Sequence, residues 1–483
     1  MFALGYRTPN RTARRLPCAI TTPTLLAAVW LFSLNAWAKG PDPDSHRPPN
    51  VILILADDLG WAELGCYGNR FNETPRLDGL ARQGMRFSHA YAAAPVCSPY
   101  RVALISGQYP ARVGITDYLR PDDPKHLATE HVTLAEMLKR AGYATGIIGK
   151  WHLTGYAHHG AVEVPPSEHG FDEVIVSEKR GIAGGSYFHP YHFNPDVTAR
   201  LPNEYLVDRM NLEAVDFIER HRARPFFLYV SHYAVHTGLV GKPDLVAKYE
   251  AKPGAGKGPR AKKNNPHLAA QLESIDDGVG MILDKLAGLG LDDRTLVIFT
   301  SDNGGEDRVT SNAPLRAGKS TLYEGGIREP LVVRWPGVVP PGTVSSTPVW
   351  CLDFYPTLLD AAGQAPDPRQ KLDGVSILPV LEDPSAKLPR DALYWHYPLA
   401  KPHFLGGRSS GVIRHGDWKL IELFDTGELE LYNLADDESE EHNLAERMPE
   451  RAAELHEKLK AWQKQVGAEV PEPPRPPSAP RGR

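Results

Sequence analysis

Residues 51–56 read V-I-L-I-L-A, and Asp57-Asp58-Leu59-Gly60 follow at once. An unbroken apolar run without alternation describes a strand buried on both faces, the habit of a parallel sheet covered by helices. Ala144 to Ile148, Phe226 to Val230 and Leu296 to Thr300 are further runs of this kind. Helical signals lie between them. Thr74 to Gly84 offers an N-cap threonine, Pro75 at the first helical position and a closing glycine. Thr133-Leu134-Ala135-Glu136 is a capping box whose helix ends at Gly142. His267 to Leu289 carries apolar residues at helical spacing. Strands alternating with helices predict an α/β sandwich around a large, mostly parallel central sheet flanked by helices.

The pattern changes after residue 375. Gly411 to Arg414, Trp418 to Leu423 and Leu429 to Asn433 read as short strands with turn residues between them. The acidic stretch Asp436 to Glu441 then precedes a charged helix from about Arg447 to Val466. Local strands followed by one helix predict a smaller C-terminal α+β domain with a short antiparallel sheet. The expected organisation is a signal peptide at 1–38, a polar lead-in at 39–49, a catalytic domain at 50–375, the smaller domain at 376–469 and a proline-rich disordered tail at 470–483.

Composition narrows the function. The chain has 483 residues, 42% hydrophobic and 23% charged, with a formal charge of −5. That is globular rather than disordered composition, and it lacks the basic face nucleic acid requires. No apolar run long enough to cross a bilayer follows the N-terminus. Arg7, Arg11, Arg14 and Arg15 precede the apolar stretch Leu25 to Leu34, and Ala36-Trp37-Ala38 supplies a small-x-small site. This pattern reads as a secretory signal, so the protein is expected to be exported, periplasmic or secreted. An uncleaved anchor or a transit peptide is the other reading, and Arg14-Arg15 hints at twin-arginine export. Cleavage after Ala38 takes the formal charge from −5 to −9. It leaves Cys66, Cys97 and Cys351, so at least one thiol has no partner within the chain in an oxidising compartment.

The chemistry-bearing residues stand where the buried runs end. Ligands of open α/β sheets bind beyond the carboxyl ends of the strands. Asp57 and Asp58 end the first run; taken alone they are also a turn with an N-cap. Ser301-Asp302-Asn303-Gly304-Gly305 ends the run Leu296 to Thr300. Three carboxylates and one amide carbonyl make a hard-oxygen set suited to calcium or magnesium rather than zinc. Cys97-Ser98-Pro99-Tyr100-Arg101 opens a helix closed by Gly107, with Ser98 as the expected N-cap and Cys97 just outside it. A helix N-terminus favours an anion, and Arg101 is close enough in sequence to share a ligand with Cys97. The alternative is a structural cysteine beside a helix. Gly149-Lys150-Trp151-His152 and Ser231-His232-Tyr233-Ala234-Val235-His236 follow two more buried runs. Gly318-Lys319-Ser320 is not a nucleotide cradle, because Ala313 stands where a P-loop needs glycine. Lys252 to Lys263 is a basic, glycine-containing stretch, read either as a solvated loop or as one that steers an anionic substrate.

Taken in order, A-D-D-L-G at 56–60, C-S-P-Y-R at 97–101, G-K-W-H at 149–152, S-D-N-G-G at 301–305 and G-K-S-T-L-Y-E-G-G-I-R-E-P at 318–330 resemble the type I sulfatases of the alkaline phosphatase superfamily. The resemblance runs from Asn50 to about Leu444, and C-S-P-Y-R fits the family signature C-x-P-x-R. It implies an alkaline-phosphatase-like sandwich. It also implies that Cys97 is oxidised to Cα-formylglycine by a formylglycine-generating enzyme, which would account for the odd thiol. By the same resemblance Asp57, Asp58, Asp302 and Asn303 hold one calcium ion, with the modified Cys97 completing the set. Arg101, Lys150, His152, His236 and Lys319 carry over as catalytic or sulfate-binding residues. His232 departs from the usual family pattern, and its role stays open.

That reading implies a calcium-dependent hydrolase of sulfate monoesters, with a sulfated small molecule or oligosaccharide as substrate. The hydrated aldehyde offers one hydroxyl to attack sulfur and a second to release sulfate. His152 is the expected base for release, Asp302 helps activate the attacking hydroxyl, and His236 is the expected acid for the leaving alcohol. A phosphodiesterase or phosphonate monoester hydrolase on the same scaffold, and a non-catalytic binder of sulfated glycans, are the alternatives. Two segments are candidates for sugar recognition, with ordinary loop packing as the other reading: the aromatic stretch Gly184 to Asn194, and His396 to Arg408 with His396, His403 and Arg408.

Overall fold

The computed structural model describes residues 47–184 and 186–471; the expected signal peptide, most of the lead-in and the tail from residue 472 lie outside the described residues. Thirteen strands are described. They are β1 (Asn50–Ala56), β2 (Met85–Tyr91), β3 (Ala144–Gly149), β4 (Glu173–Ile175), β5 (Phe226–Ser231), β6 (Thr295–Ser301), β7 (Arg328–Arg334), β8 (Thr343–Ser345), β9 (Val349–Trp350), β10 (Ala392–Tyr397), β11 (Ser410–His415), β12 (Trp418–Leu423) and β13 (Leu429–Asn433). The first nine form one sheet in the order β4-β3-β5-β1-β6-β7-β2-β8, with β9 paired to β2. Strands β4, β3, β5, β1 and β6 are mutually parallel. Strand β7 runs antiparallel to both β6 and β2.

The period of the side chains explains why β1 is apolar throughout. Val51, Leu53 and Leu55 enter one core, while Ile52, Ile54 and Ala56 enter the core on the opposite face. Strand β6 divides in the same way, Leu296 and Ile298 against Val297 and Phe299. Helices Leu206–His221 and Pro266–Gly288 cover one face through Met210, Phe217, Leu272 and Val279. Helix Cys97–Ser106 covers the other, with Tyr100, Val102 and Leu104 buried. The capping box at Thr133 and Glu136 forms as expected.

The second sheet is four-stranded and antiparallel, β10-β11-β12-β13, with helix Pro449–Val466 against it. The sequence indicated three of these strands. The fourth, β10, reads A-L-Y-W-H-Y and has no clean alternation, because Trp395, His396 and Tyr397 are all buried. Apolar residues of this sheet are continuous with one core of the large sheet. Trp395 packs edge-on to Tyr91 and donates its indole N–H to the Ala92 carbonyl at 2.7 Å. A further tie is ionic and buried: Lys419 meets Glu324 at 2.9 Å and Glu440 at 2.8 Å. No helix among the described residues is long and apolar enough to cross a membrane.

Candidate active site

Neighbouring parallel strands deliver their carboxyl ends to one edge, so topology assembles the site. In the order β3-β5-β1-β6 these ends carry Lys150 and His152, then Ser231 to His236, then Asp57 and Asp58, then Asp302 and Asn303. Backbone bonds lock the edge together. Asp57 N–H donates to Ala234 O at 2.9 Å, Val235 N–H to Asp57 O at 2.8 Å, and Lys150 N–H to Ser231 O at 2.8 Å. Ser301 Oγ accepts from Leu59 N–H and donates to the Asn303 carbonyl, both at 2.9 Å. Asp58, His152 and Ser320 adopt left-handed φ values of 61°, 55° and 75°. Non-glycine residues hold such conformations only where their surroundings enforce them, each costing about 1–3 kcal/mol.

Cys97 is the first residue of helix Cys97–Ser106, not a residue outside it. The expected N-cap fails because the Ser98 hydroxyl is used elsewhere, accepting from Leu119 N–H at 2.9 Å. Val96 stands at the cap position without a side-chain bond. The Cys97 sulfur faces Asp57 Oδ1 at 3.6 Å. Lys150 Nζ donates to Asp57 Oδ2 at 2.5 Å, and Lys319 Nζ to Asp58 Oδ2 at 2.7 Å. Arg101 donates to Asp302 Oδ2 at 2.7 Å, to Ser231 Oγ at 2.6 Å and to Lys150 O at 3.2 Å. Its head group therefore clamps three strand ends. Cys66, Cys97 and Cys351 are all free thiols.

Burial dominates the electrostatics. Asp57, Asp58, Asp302, Lys150, Lys319 and Arg101 are all buried. Their formal charges cancel. Desolvation, reinforced by Asp302, pushes Asp57 up to about 7 despite Lys150. Burial acts the same way on Asp58, but Lys319 and His236 outweigh it and hold that carboxyl low. Burial is likewise overcome at Asp302, which Arg101 and Lys150 hold well below the usual carboxylate range. The Cys97 thiol is pushed up to about 12 by burial, against the pull of Lys150 and Lys319.

The two imidazoles are held by opposite nitrogens. His152 Nε2 lies 2.8 Å from Leu119 O, and its buried Nδ1 has no partner. A carbonyl only accepts, so Nε2 carries the proton and Nδ1 presents a lone pair. In His236, Nδ1 lies 2.5 Å from Thr237 O, and Nε2 faces Asp58 Oδ2 at 3.8 Å. Burial, then Lys150, drives His152 well below its ordinary value. Burial and Lys319 drive His236 down to about 3. His232 is buried, donates its backbone N–H to Leu55 O and falls to about 3 through burial.

The residues fit a hard divalent cation. Ligand atoms of Asp57, Asp58 and Cys97 lie within 4.8 Å of one another in a buried group. Asn303 donates its amide N–H to Asp58 Oδ1 at 2.8 Å, which leaves its buried Oδ1 without a partner. An orphaned amide oxygen beside two carboxylates is a donor set for calcium or magnesium. Asp302 stands beside them: Oδ1 accepts from Asp58 N–H at 3.0 Å and Oδ2 from Arg101 at 2.7 Å, and each oxygen keeps a second lone pair.

The motifs did not reveal Glu178, which organises this corner. It accepts from Trp151 N–H at 3.1 Å, His152 N–H at 2.6 Å and Tyr233 O–H at 2.8 Å. It thereby holds the left-handed turn at His152 against the loop after β5. Glu178→Ala strands these buried donors and should cost about 1–3 kcal/mol of folding stability. Turnover should fall with KM nearly unchanged, as denaturant unfolding and steady-state kinetics will read; an unaltered kcat would show that His152 keeps its place unaided.

In the stretch Gly184 to Asn194 three of the aromatics turn inward, while Phe188 is half-buried and His192 exposed. Tyr187, Tyr191 and Phe193 are buried in the core. Tyr187 O–H donates to the carbonyls of Tyr233 and His236 at 2.8 and 3.1 Å, which supports the His236 loop. In the second segment His396 bonds Glu469 O and Arg408 pairs with Asp425. The turn that begins at His403 lies against the Ser320 carbonyl through Gly407. Among the basic residues 252–263, Lys252 pairs with Glu73 at 2.9 Å.

Comparison with known proteins agrees with this geometry. The sulfatase family model matches residues 49–364, and the model of the N-sulphoglucosamine sulphohydrolase C-terminal region matches residues 317–465. A sulfatase of Formosa agariphila is 33% identical, over 87% of this chain and 89% of that one. The N-acetylgalactosamine-6-sulfatase of Canis lupus familiaris is 36% identical, over 74% of this chain and 71% of that one. The crystal structure of Ps i-CgsB in complex with k-i-k-neocarrahexaose superposes with a TM-score of 0.74 at 30% identity, covering 86% of this chain and 93% of that one.

Proposed function

Since the chain belongs to the sulfatase family and is a sulfuric ester hydrolase, we propose that it is an exported enzyme that hydrolyses sulfate monoesters of carbohydrates with calcium and a formylglycine made from Cys97. One observation carries this reading: Cys97 faces Asp57 at 3.6 Å on a strand edge that also presents Lys150, Lys319, His152 and His236. A carbohydrate substrate is supported by the relative named N-acetylgalactosamine-6-sulfatase and by the neocarrahexaose complex of a related structure. Export rests on the pattern of residues 1–38. The maturation partner is a formylglycine-generating enzyme.

Asp57, Asp58, Asp302, Asn303 and residue 97 would hold the ion, and Asp302 also ties the Asp58 turn to Arg101 beside it. Bound calcium supplies Lewis-acid charge for the sulfate oxygens, and the hydrated aldehyde supplies two hydroxyls, one to attack sulfur and one to release sulfate. The chain's own charges do the rest. The named lysines, arginine and aspartates balance, so a divalent cation leaves the pocket positive toward an anionic ester. Lys150 and Lys319, each paired with a single site carboxylate, are the side chains that would turn to sulfate oxygens once an ion holds those carboxylates. Arg101, already clamped, keeps the strand ends in register. His152 presents Nδ1 as base, and His236 presents Nε2 toward the leaving oxygen.

Rates on 4-nitrophenyl sulfate, 4-nitrophenyl phosphate and a phosphate diester test the reaction class. Sulfate should be turned over fastest; a faster phosphate diester would support the other chemistry of this scaffold. Elemental analysis should find one calcium per chain. Asn303→Ala should weaken calcium at least about tenfold, ~1.4 kcal/mol, in a titration that needs no substrate. Equal calcium affinity in that variant would remove Asn303 from the set.

A further inference from the structure

We infer that the mouth of the site carries a second subsite, built from Phe404, Arg308 and Arg260, which binds an acidic sugar ring next to the one bearing the scissile sulfate. The inference rests on the carbohydrate sulfatase reading and extends it to the substrate's neighbouring residue.

A chain of contacts leads outward from His236. Thr237 donates its hydroxyl to Glu306 Oε2 at 2.9 Å, and Arg308 Nε pairs with Glu306 Oε1 at 2.5 Å. The Arg308 guanidinium stands 5.2 Å from the centre of the Phe404 ring. From the other side, the turn His403–Gly407 rests on the catalytic loop. Gly407 approaches the Ser320 carbonyl so closely that a Cβ there would lie 1.8 Å from it, and Ser320 follows Lys319. The turn is closed by bonds between His403 and Gly406 and between His403 and Gly407. Both rims therefore meet at Phe404, one from His236 and one from Lys319.

Phe404 is 68% exposed. The turn that carries the ring is tied, so the exposed part of Phe404 is held in place beside Arg308. Its neighbour His403 lies tilted against it with centroids 4.4 Å apart, and Tyr118 supports His403 edge-on at 5.7 Å. Aromatic faces of this kind stack on the C–H faces of sugar rings. Between Thr237 and the basic loop lies a cavity of about 550 Å³, lined also by Val240, Arg260, Glu306 and Arg308. Arg260 makes no hydrogen bond or ion pair among the described residues. Two guanidinium groups face one carboxylate, so the cavity is net positive. It suits an anionic substituent, a carboxylate or a second sulfate, since planar guanidinium binds either bidentately.

Three disaccharides separate the parts. Monosulfated and disulfated keratan disaccharides differ only by the sulfate on the neighbouring ring, and a chondroitin 6-sulfate disaccharide places a uronate there. Each is measured as substrate or as inhibitor of 4-nitrophenyl sulfate hydrolysis by the whole protein. At least one acidic-neighbour disaccharide should bind about tenfold better than the monosulfated keratan form, and Arg308→Gln should abolish that preference. Phe404→Ala should raise KM or Ki for all three about tenfold more than it raises KM for the single-ring aryl sulfate. No preference for an acidic neighbour, or a preference that survives Arg308→Gln, overturns the subsite. Wild-type protein inert toward 4-nitrophenyl sulfate and every disaccharide overturns instead the sulfatase reading beneath it. Which acidic disaccharide is preferred identifies the anion as carboxylate or sulfate.

Discussion

Cys97→Ala should have no measurable turnover, and the tryptic peptide 87–101 of active wild-type protein should weigh about 18 Da less than its cysteine form, the difference between a thiol and an aldehyde carbon. Position is the first reason. Residue 97 opens a helix, faces Asp57 at 3.6 Å and is buried among Lys150, Lys319 and Asp302. Carboxylates suited to calcium lie beside it, those of Asp57 and Asp58. A thiol there also has only one exchangeable group. It could take sulfate from an ester but has no second hydroxyl with which to expel it. Cys97→Ser isolates that step: it should accept sulfate at most once, so intact-mass measurement should find a species heavier by one SO₃ group and no further product. Fully active protein whose residue 97 is found only as cysteine would falsify the maturation.

The site was legible because its residues sit at the ends of apolar runs, and such runs are hard to misread. V-I-L-I-L-A, the run before Gly149 and the run before Ser231 each end within a residue of the observed strand. Parallel neighbours share an edge, so the few residues after each run nearly make up the site. Failures arose where a side chain was used by something distant in sequence. Ser98 has every local mark of an N-cap, yet its hydroxyl serves Leu119. Tyr187, Tyr191 and Phe193 look like a binding surface in a loop with glycines, but the strand edge needed apolar cover there. Glu178 has no motif around it; its importance lies in backbone N–H groups of the turn at Trp151 and His152, which no sequence pattern displays. Strand β10 escaped because burial of Trp395, His396 and Tyr397 erased the alternation that marks a half-exposed strand.

His236→Ala should slow a sulfated sugar by roughly 10²- to 10⁴-fold and slow 4-nitrophenyl sulfate much less. A sugar alkoxide is a poor leaving group and needs a proton as the S–O bond breaks, whereas nitrophenolate hardly does. Nδ1 of His236 is committed to Thr237 O, so a proton on Nε2 requires the charged ring. Burial and Lys319 keep that ring neutral in the free site. An arriving sulfate ester offsets the lysine's repulsion, one of the two effects that hold the ring neutral, and so shifts His236 toward the charged form the acid role requires. His152 is arranged for the opposite task. Its Nε2–H is spent on Leu119 O and its Nδ1 lone pair is bare, so it can accept a proton but not bring one. Breakdown of the sulfated enzyme comes after the alcohol has left, and it is the step that needs a base. His152→Ala should therefore stall both substrates alike, after one rapid release of alcohol, with sulfated protein accumulating. Equal losses on both substrates for His236→Ala would mean that Nε2 binds sulfate instead of protonating the alcohol.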